Sequence, residues 1–393
     1  MPETTRRSFL KHSLLGAATG LTAFGFQSLT EREAMGQRQN GFKPAEREAM
    51  EDTAEAFRMK YDVPALSVAI ATQGRLVYMH GFGVTDKDTG EKVTPDNLFR
   101  IASVTKPITS TTIFHLIEKG KLRLADRVFG PKAVLGTDYG EPPYKQYIED
   151  ITIEHLLTHT AGGWQNDGND PMFHHPQMDH KELITWTIAN QPLQHRPGTN
   201  YAYSNFGYCI LGRVIEKLTG KPYHEAVQQE VLKPCGITGM RISGNTLEER
   251  APKEVIYYDQ NGGNPYGMNV KRMDSHGGWL ATPTDLVRFL VRVDGFKTKP
   301  DILDLDTIVT MTTASAVQAG YAKGWSVNKY HNWWHNGSMP GTTTIMVRTS
   351  GQFCWAALTN TRKVNSGLDG DLDQLMWNMV GKVTTWPSYD LFG

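Results

Sequence analysis

The sequence predicts a fold of the α/β class, of the α+β type, in which an antiparallel sheet is built from both chain ends and flanked by helices. Two β-rich runs surround Gln73-Gly74 near the beginning of the chain, and two more surround Ser350-Gly351 near its end, as in hairpins. Residues from about 124 to 250 show the apolar spacing of helices instead. We therefore expect a mostly helical region inserted between two sheet-forming ends, with a cleft where they meet.

The individual elements follow in chain order. The run "ALSVAIATQGRLVYMHGFGV" predicts the first hairpin, and "FRIASVTKPITSTTIFHLIEKGKL" predicts a buried helix that stops at Gly120. Because proline is accepted in a first helical turn, Pro107 places the helix start close to Ser103. Later segments predict amphipathic helices at "DHKELITWTIANQ", "NFGYCILGRVIEKLTG" and "TPTDLVRFLVRV", the last capped by Thr282. Strands follow at "GWSVNKY", "NWWHNG" and "TTTIMVRTSGQFCWAALTN", and "DLDQLMWNMVGKV" closes the chain as a helix.

Composition and charge narrow the class of protein. The 393 residues carry 41 basic and 41 acidic side chains, so no net charge points to a nucleic-acid partner. The three cysteines, Cys209, Cys235 and Cys354, are scattered without C-x-x-C spacing. This predicts buried free thiols rather than a disulfide framework or a zinc ribbon.

The amino-terminal segment resembles a twin-arginine export signal. Arg6 and Arg7 precede Ser-Phe-Leu-Lys and then a Gly- and Ala-rich apolar stretch, which is too short to predict a membrane span. We expect residues 1–40 to be signal and linker and residues 41–393 to form the folded domain. The protein is then expected in the periplasm or cell envelope, with no stable membrane span in the mature form.

A first candidate for chemistry is the stretch "FRIASVTKPITS". Ser103 and Lys106 lie three residues apart on the first turn of the predicted helix, so their side chains share a face and can touch. Serine is a weak nucleophile unless a base lies within hydrogen-bond reach, and an unpaired lysine is costly on an apolar helix. A nucleophile with its activating amine would show this spacing, but an ordinary surface Ser and Lys would show it too, so the spacing alone leaves both interpretations open.

A second candidate is "YAYSNFGY", which follows the turn-forming "RPGTN". A tyrosine held near a lysine can accept a proton from serine, which makes Tyr203 a candidate base. Asn205 can offer both a donor and an acceptor to a substrate amide. The alternative is that Tyr203 packs as an ordinary aromatic residue and Asn205 caps the next helix.

A third candidate is "NWWHNGSMPG". Strand alternation places Trp333 and His335 on one face, and Gly337 lacks a side chain, so a substrate could lie against the strand edge. The N–H of Ser338 could pair with that of Ser103 to form an oxyanion hole. The alternative is a core histidine between tryptophans.

Together, the order S-x-x-K, Y-x-N, H-x-G resembles the serine β-lactamase and penicillin-binding-protein superfamily, in its class C-like branch. The resemblance runs from about Val63 to Asn360 and includes "TPDNLFRIASVTK", "ITIEHLLTHTAGG" and "SHGGWLATPTDLVRF". It implies a β-lactamase-like fold and an acyl-enzyme on Ser103, with Lys106 and Tyr203 sharing the proton transfer. It also implies that Asn205, His335, Gly337 and Ser338 bind the substrate, and that no cofactor or metal is needed.

The third motif departs from class C β-lactamases, which usually carry Lys-Thr-Gly there. His335-Asn336-Gly337 resembles DD-carboxypeptidases, D-aminopeptidases and related esterases instead. We expect a hydrolase of amides or esters whose partner is a small molecule or peptide: a peptidoglycan-like peptide, a β-lactam or an ester. A class C-type β-lactamase and a penicillin-binding sensor that is acylated without turnover remain alternatives.

Other candidates have weaker patterns. The segment "DPMFHHPQMDH" offers possible metal ligands, but their spacing matches no zinc signature and predicts a solvated loop at the cleft rim. These residues are Asp170, His174, His175, Asp179 and His180. His159 could approach the site, but we expect it to cap or hydrogen-bond the following loop. Trp164, Trp279 and Trp325 are expected in the core, with a pocket lining as the alternative.

Overall fold

A computed structural model describes residues 41–168 and 170–393. The predicted export signal, in residues 1–40, lies outside the described residues. Within the described ranges, no helix has both the length and the apolar character needed to cross a membrane.

A six-stranded antiparallel sheet forms the centre of the protein, in the order β2-β1-β10-β9-β8-β7. Its strands are β1 (Ala65–Thr72), β2 (Arg75–Gly83), β7 (Ser326–Val327), β8 (Trp333–Met339), β9 (Thr342–Arg348) and β10 (Phe353–Thr359). Among the residues that the structure describes, five two- or three-residue strands lie outside it: β3 (Phe99–Arg100), β4 (Arg241–Ile242), β5 (Tyr258–Asp259), β6 (Trp279–Ala281) and β11 (Thr361–Arg362). Because β1 pairs with β10, the two chain ends form one sheet, as predicted.

The helices fall into two groups. The terminal helices α1 (Pro44–Lys60) and α10 (Leu368–Val380) pack together, tied by a 2.6 Å bond from the Tyr61 hydroxyl to Asp371. The remaining helices are α2 (Thr105–Glu118), α3 (Ile153–Leu157), α4 (Pro171–His174), α5 (His180–Asn190), α6 (Asn205–Thr219), α7 (Tyr223–Val227), α8 (Pro283–Leu290) and α9 (Leu305–Thr312).

Strand β1 shows how the sheet divides the core. All eight of its residues are buried, so it lacks the polar alternation of a one-sided strand. Ala65, Ala69 and Ala71 join the core on the side of the helical region, while larger residues point towards α1 and α10. These larger residues are Leu66, Val68 and Ile70. The small side chains allow the second group of helices to approach the sheet closely.

Most predicted elements are confirmed. Both hairpins are present, and Thr282 caps α8 by accepting from the N–H of Asp285 at 3.0 Å. Two differences have local causes. The strand predicted at "GWSVNKY" is limited to Ser326–Val327, because the Asn328 carboxamide accepts backbone bonds that turn the chain. Helix α9 was not predicted, since its threonine and valine residues favour strands.

Candidate active site

Ser103 lies at the junction between the sheet and the helical region. It belongs to a single 3₁₀ turn, Ala102–Val104, that leads directly into α2 and borders a cavity of about 200 Å³. Ala102 has φ +47°, a left-handed conformation that is uncommon for a residue with a Cβ atom. Such backbone strain costs about 1–3 kcal/mol and is concentrated at functional sites. Here it aims the Ser103 side chain towards the cavity.

Lys106 is completely buried beside this serine. Its Nζ lies 3.1 Å from Ser103 Oγ, 2.7 Å from Asn205 Oδ1 and 3.1 Å from the carbonyl oxygen of His276. Burial lowers the pKa of Lys106 to about 7, while the Asp170 carboxylate opposes the shift. The Lys106 side chain therefore titrates near neutral pH, where the neutral amine is available.

The three partners of Lys106 fix where its lone pair points. The oxygens of Asn205 and His276 can only accept, so they take the two N–H bonds of the neutral amine. The third position faces Ser103, whose hydroxyl can donate. The neutral amine is thus oriented as an acceptor for the serine proton.

Asn205 is held by a buried carboxylate. It is the first residue of α6, where the cap is provided by its neighbour Ser204 rather than by Asn205 itself. Its backbone N–H donates to Asp170 at 2.9 Å, and its side chain also bonds this carboxylate. The side-chain carbonyl consequently faces Lys106. Asp170 therefore acts as a support for Asn205 and as the cap of α4, where it accepts from Met172 N–H.

Tyr203 completes the group around Ser103. Lys106 Nζ lies 4.8 Å from the centre of its ring, and the phenol is hydrogen-bonded to Ser103. Burial raises the pKa of Tyr203, and the bond to Ser103 only partly opposes this shift. The phenol is therefore protonated at neutral pH, whereas the Lys106 amine titrates there.

His335 is buried, and both of its ring nitrogens already have partners in the protein. Nδ1 lies 2.7 Å from the carbonyl oxygen of Asn336, and Nε2 lies 3.1 Å from the Tyr321 hydroxyl. Burial lowers the pKa of His335 to about 3, and the charge of Lys106 acts in the same direction. The imidazole is neutral and fully hydrogen-bonded, which disfavours a direct contact with a substrate carboxylate.

Gly337 and Ser338 lie on opposite faces of β8. A Cβ atom on Gly337 would lie 2.3 Å from the carbonyl oxygen of Ile101 and 2.5 Å from Thr344 Oγ1. The missing side chain thus allows β8 to approach the segment that carries Ser103, a reason different from the expected room for substrate. Ser338 is exposed and borders the same cavity as Ser103, which is where an oxyanion-hole donor is needed.

The remaining sequence candidates have separate local partners. His174 bonds the Gly168 carbonyl, His175 packs against Trp186, and the His180 ring bonds the Arg272 carbonyl at 2.9 Å. Asp179 caps α5. In residues 41–168 and 170–393, no group of three or more His, Cys, Asp or Glu side chains is arranged to hold a metal ion.

Two expectations about buried residues are confirmed. The tryptophans Trp164, Trp279 and Trp325 are buried in the core. Cys209, Cys235 and Cys354 are buried free thiols.

Sequence reasoning missed several residues at the site. Tyr321 bonds both His335 and His159, and His276 borders the cavity with a buried Nε2 that has no protein partner. Asp170 was considered only as a metal ligand. A signal for His276 existed in "SHGGW", which belongs to the stretches that carry the family resemblance. No local pattern marks Tyr321.

Residues 42–375 match the family described as Beta-lactamase. The chain belongs to this family. Membership confirms the resemblance to the β-lactamase and penicillin-binding-protein superfamily that was drawn from the three motifs.

Named relatives in the family carry different activities. Esterase EstB of Burkholderia gladioli is 31% identical over 246 residues, covering 57% of this chain and 58% of the esterase. Penicillin-binding protein 4* of Bacillus subtilis (strain 168) is 25% identical over 315 residues, covering 72% of this chain and 64% of that protein. The chain thus spans less than two thirds of the length of these relatives.

Solved structures share the fold. D-amino acid amidase from Ochrobactrum anthropi SV3, complexed with D-phenylalanine, superposes with a TM-score of 0.69 at 21% identity, covering 85% of this chain and 98% of that one. EstCE1, described as a hydrolase with promiscuous acyltransferase activity, gives 0.68 at 18% identity, covering 86% and 100%. The β-lactamase-like fold predicted from the motifs is therefore confirmed.

Proposed function

We propose that this protein hydrolyses uncharged carboxylic esters through an acyl-enzyme on Ser103. The observation that carries the proposal is the buried Lys106 amine, whose lone pair faces the serine hydroxyl at 3.1 Å. The relationship to Esterase EstB supports an ester as the substrate. Amides of the same shape are the second candidate, because the D-amino acid amidase shares the fold.

Attack begins with transfer of the Ser103 proton to Lys106. The serine oxygen then bonds the substrate carbonyl carbon, and the displaced electron pair forms an oxyanion, which we assign to the backbone N–H groups of Ser103 and Ser338. Collapse of this intermediate breaks the ester C–O bond. Water then attacks the acyl-enzyme by the same route and releases the acid.

Tyr203 is assigned to proton delivery rather than proton removal. Its phenol stays protonated while Lys106 titrates near neutrality, so the lysine is the better base. Once Lys106 holds the serine proton, the Tyr203 hydroxyl can pass its own proton to the departing alkoxide, and the resulting phenolate takes the proton held by Lys106, which restores the neutral amine. We assign Asn205 to orienting Lys106 and the part of the substrate next to its carbonyl group.

The cavity lining favours uncharged substrates. Arg362 is the one side chain with a formal charge among the described lining residues, and its Nε is paired with the buried Asp259 carboxylate at 2.9 Å. His335 is neutral as well, so the formal positive charge among these lining residues is that of Arg362, which is already balanced by Asp259. Met268, Met273 and Met339 line the same cavity, and their flexible thioethers suit a compact apolar acyl group. These features favour an ester over a DD-carboxypeptidase substrate.

The site of action is proposed from the sequence alone. Arg6, Arg7 and the following apolar stretch support export through a twin-arginine-type pathway, with action in the periplasm or cell envelope. A fusion of residues 1–45 to a reporter that is active only outside the cytoplasm tests this. Loss of reporter activity in an Arg6→Lys, Arg7→Lys variant is the expected result.

A substrate panel tests the proposed function. Residues 41–393 are assayed with p-nitrophenyl acetate and butyrate, a chromogenic cephalosporin, D-amino-acid amides and D-Ala-D-Ala peptides, each beside Ser103→Ala. We expect the esters to give the highest kcat/KM and Ser103→Ala to abolish turnover. Preferred cleavage of D-Ala-D-Ala peptides would contradict the substrate class, and acylation without product release would indicate a sensor.

A further inference from the structure

A chain of hydrogen bonds crosses the cleft beside the catalytic group. The backbone N–H of Ser204 donates to His159 Nδ1 at 3.1 Å, and His159 Nε2 lies 3.1 Å from the Tyr321 hydroxyl. The same hydroxyl lies 3.1 Å from His335 Nε2, and His335 Nδ1 lies 2.7 Å from the carbonyl oxygen of Asn336. The chain therefore begins in the Y-x-N motif and ends in the H-x-G motif.

The two backbone ends determine which ring nitrogen carries the proton in each of the two imidazoles. Because Ser204 N–H is a donor, His159 Nδ1 carries a lone pair and its Nε2 carries the proton. Because the Asn336 carbonyl is an acceptor, His335 Nδ1 carries the proton and its Nε2 carries the lone pair. Tyr321 thus accepts from His159 and donates to His335, and its hydroxyl also has the Tyr208 hydroxyl as a neighbour in the hydrogen-bond network. Both imidazoles are neutral, in opposite tautomers.

The surroundings keep the chain neutral. His159, Tyr321 and His335 are each at most 4% exposed. The titratable groups that face them are Lys106 from α2, Tyr208 from α6, and Tyr201 and Tyr203 from the loop before α6. None of these groups offers a negative charge at neutral pH that would stabilise an imidazolium.

Tyr321 is itself held rigidly. Its backbone N–H bonds the Gln318 carbonyl at 3.1 Å, and its own carbonyl accepts from Ser315 N–H at 2.9 Å. The following Gly324 has φ +87°, and a Cβ atom there would lie 2.6 Å from Ser110 Cβ. The loop is thus packed tightly on α2, and this packing fixes the position of the Tyr321 hydroxyl between the two motifs.

We propose that Tyr321 is a positioning residue, which uses His159 and His335 to hold the third motif in place relative to the second. We call the hydrogen-bonded group His159–Tyr321–His335 the bridge. The His159 ring packs on Tyr203 with centroids 4.2 Å apart, so this end of the bridge orients the phenol. The other end fixes β8 at His335, three residues before Ser338. The bridge therefore sets the distance between the proton-transfer groups and the assigned oxyanion donor. This role depends on the proposed function.

Kinetics of Tyr321→Phe test the role, with Tyr330→Phe as the control because Tyr330 is 63% exposed. Loss of the shared hydroxyl leaves two buried ring nitrogens without partners, so kcat is expected to fall roughly 10- to 30-fold. KM should stay within about twofold, because the oxyanion donor acts mainly in the transition state. Unchanged kcat, or a rise in KM alone, would overturn the proposal.

Histidine NMR tests the bridge without any substrate. In protein labelled with ¹⁵N-histidine, two-bond ¹H–¹⁵N spectra distinguish the tautomers, and His335→Gln and His159→Gln assign the two rings. We expect His335 in the Nδ1–H form and His159 in the Nε2–H form, both unchanged from pH 5.5 to 9. A cationic ring, or the same tautomer in both rings, would contradict the bridge.

The two measurements separate the possible failures. Stoichiometric labelling of Ser103 by a fluorophosphonate shows that Tyr321→Phe is folded and has an accessible nucleophile. If the wild-type protein cleaved no ester or amide, the proposed function would fail, while the tautomers would still test the bridge. If turnover were found with the wrong tautomers, the bridge alone would fail.

Discussion

The two sides of the catalytic cleft differ in how completely their hydrogen bonds are used. On the side of α2, Lys106 has two obligate acceptors and one partner that can exchange a proton, Ser103. On the side of β8, both nitrogens of His335 are bonded to groups that hold it in one tautomer. The comparison teaches that a side chain can take part in proton transfer where one of its hydrogen-bond partners can exchange a proton, as Ser103 can with Lys106. A side chain whose partners are all fixed donors or acceptors, such as His335, instead holds the structure in place.

The largest effect should follow from removing the Lys106 amine that faces Ser103. Lys106→Met removes the base, so kcat/KM is expected to fall about 10⁴-fold. In the wild type, kcat/KM should rise with pH through about 7, because only the unprotonated amine accepts the serine proton. Stopped-flow or steady-state assays between pH 5 and 9 measure both.

Lys233→Met is the matched control, since Lys233 is an exposed lysine away from the cavity. A fall in kcat/KM of less than tenfold in Lys106→Met would contradict the assignment of Lys106 as the base. A kcat/KM that did not change with pH in the wild type would contradict it as well.

The next largest effect should follow from moving β8 as a whole. In Gly337→Ala, the new Cβ meets the Ile101 carbonyl at 2.3 Å, so the strand must shift away from Ser103. We expect kcat/KM to fall about 100-fold and the protein to lose about 2–3 kcal/mol of stability. Urea unfolding and ester assays test this. Gly370→Ala in α10 is the control, because nothing lies within 4 Å of its Cβ position.

The buried Lys106 amine also lowers the stability of the folded protein. In the unfolded chain Lys106 keeps its ordinary high pKa, whereas in the folded protein its pKa is about 7. The unfolded chain therefore binds the extra proton between these values, and wild-type stability rises with pH across that range. Lys106→Met should gain about 2 kcal/mol at pH 6, after its lost hydrogen bonds are counted, and progressively less towards pH 10.

Urea unfolding at several pH values measures this difference in free energy. A gain that did not shrink with rising pH would show that the buried charge is not its cause.

The smallest effect is expected at Tyr203. Its phenol remains protonated, so Tyr203→Phe removes a proton relay and one hydrogen bond but leaves the base in place. We expect a fall in kcat/KM of roughly tenfold. Tyr330→Phe serves again as the control. A loss as large as that of Lys106→Met would instead assign the role of base to the phenol.

The sequence was sufficient to find the groups that we propose to react. Ser103 and Lys106 are brought together by helical spacing, and the order of the three motifs predicted that Tyr203 and Asn205 would join them. The sheet built from both ends was predictable because alternating apolar runs and turn residues are local signals.

The residues that hold the site in place could not be predicted in the same way. Tyr321 lies in a loop without periodicity, and its role depends on contacts with residues 14 and 162 positions away. The reason for Gly337 depends on a backbone approach from Ile101, and the bonding of His335 depends on Tyr321. Such tertiary contacts leave no pattern in a single sequence.

The pairing of β1 with β10 has a consequence for biogenesis. Leu66 lies opposite Thr359, so the central pair of strands joins residues roughly 290 positions apart, and loop closure over that distance is slow. A nascent chain still attached to the ribosome carries Ser103 but lacks the strands that complete its surroundings. The third motif, on β8, therefore joins Ser103 only after most of the chain has been synthesised.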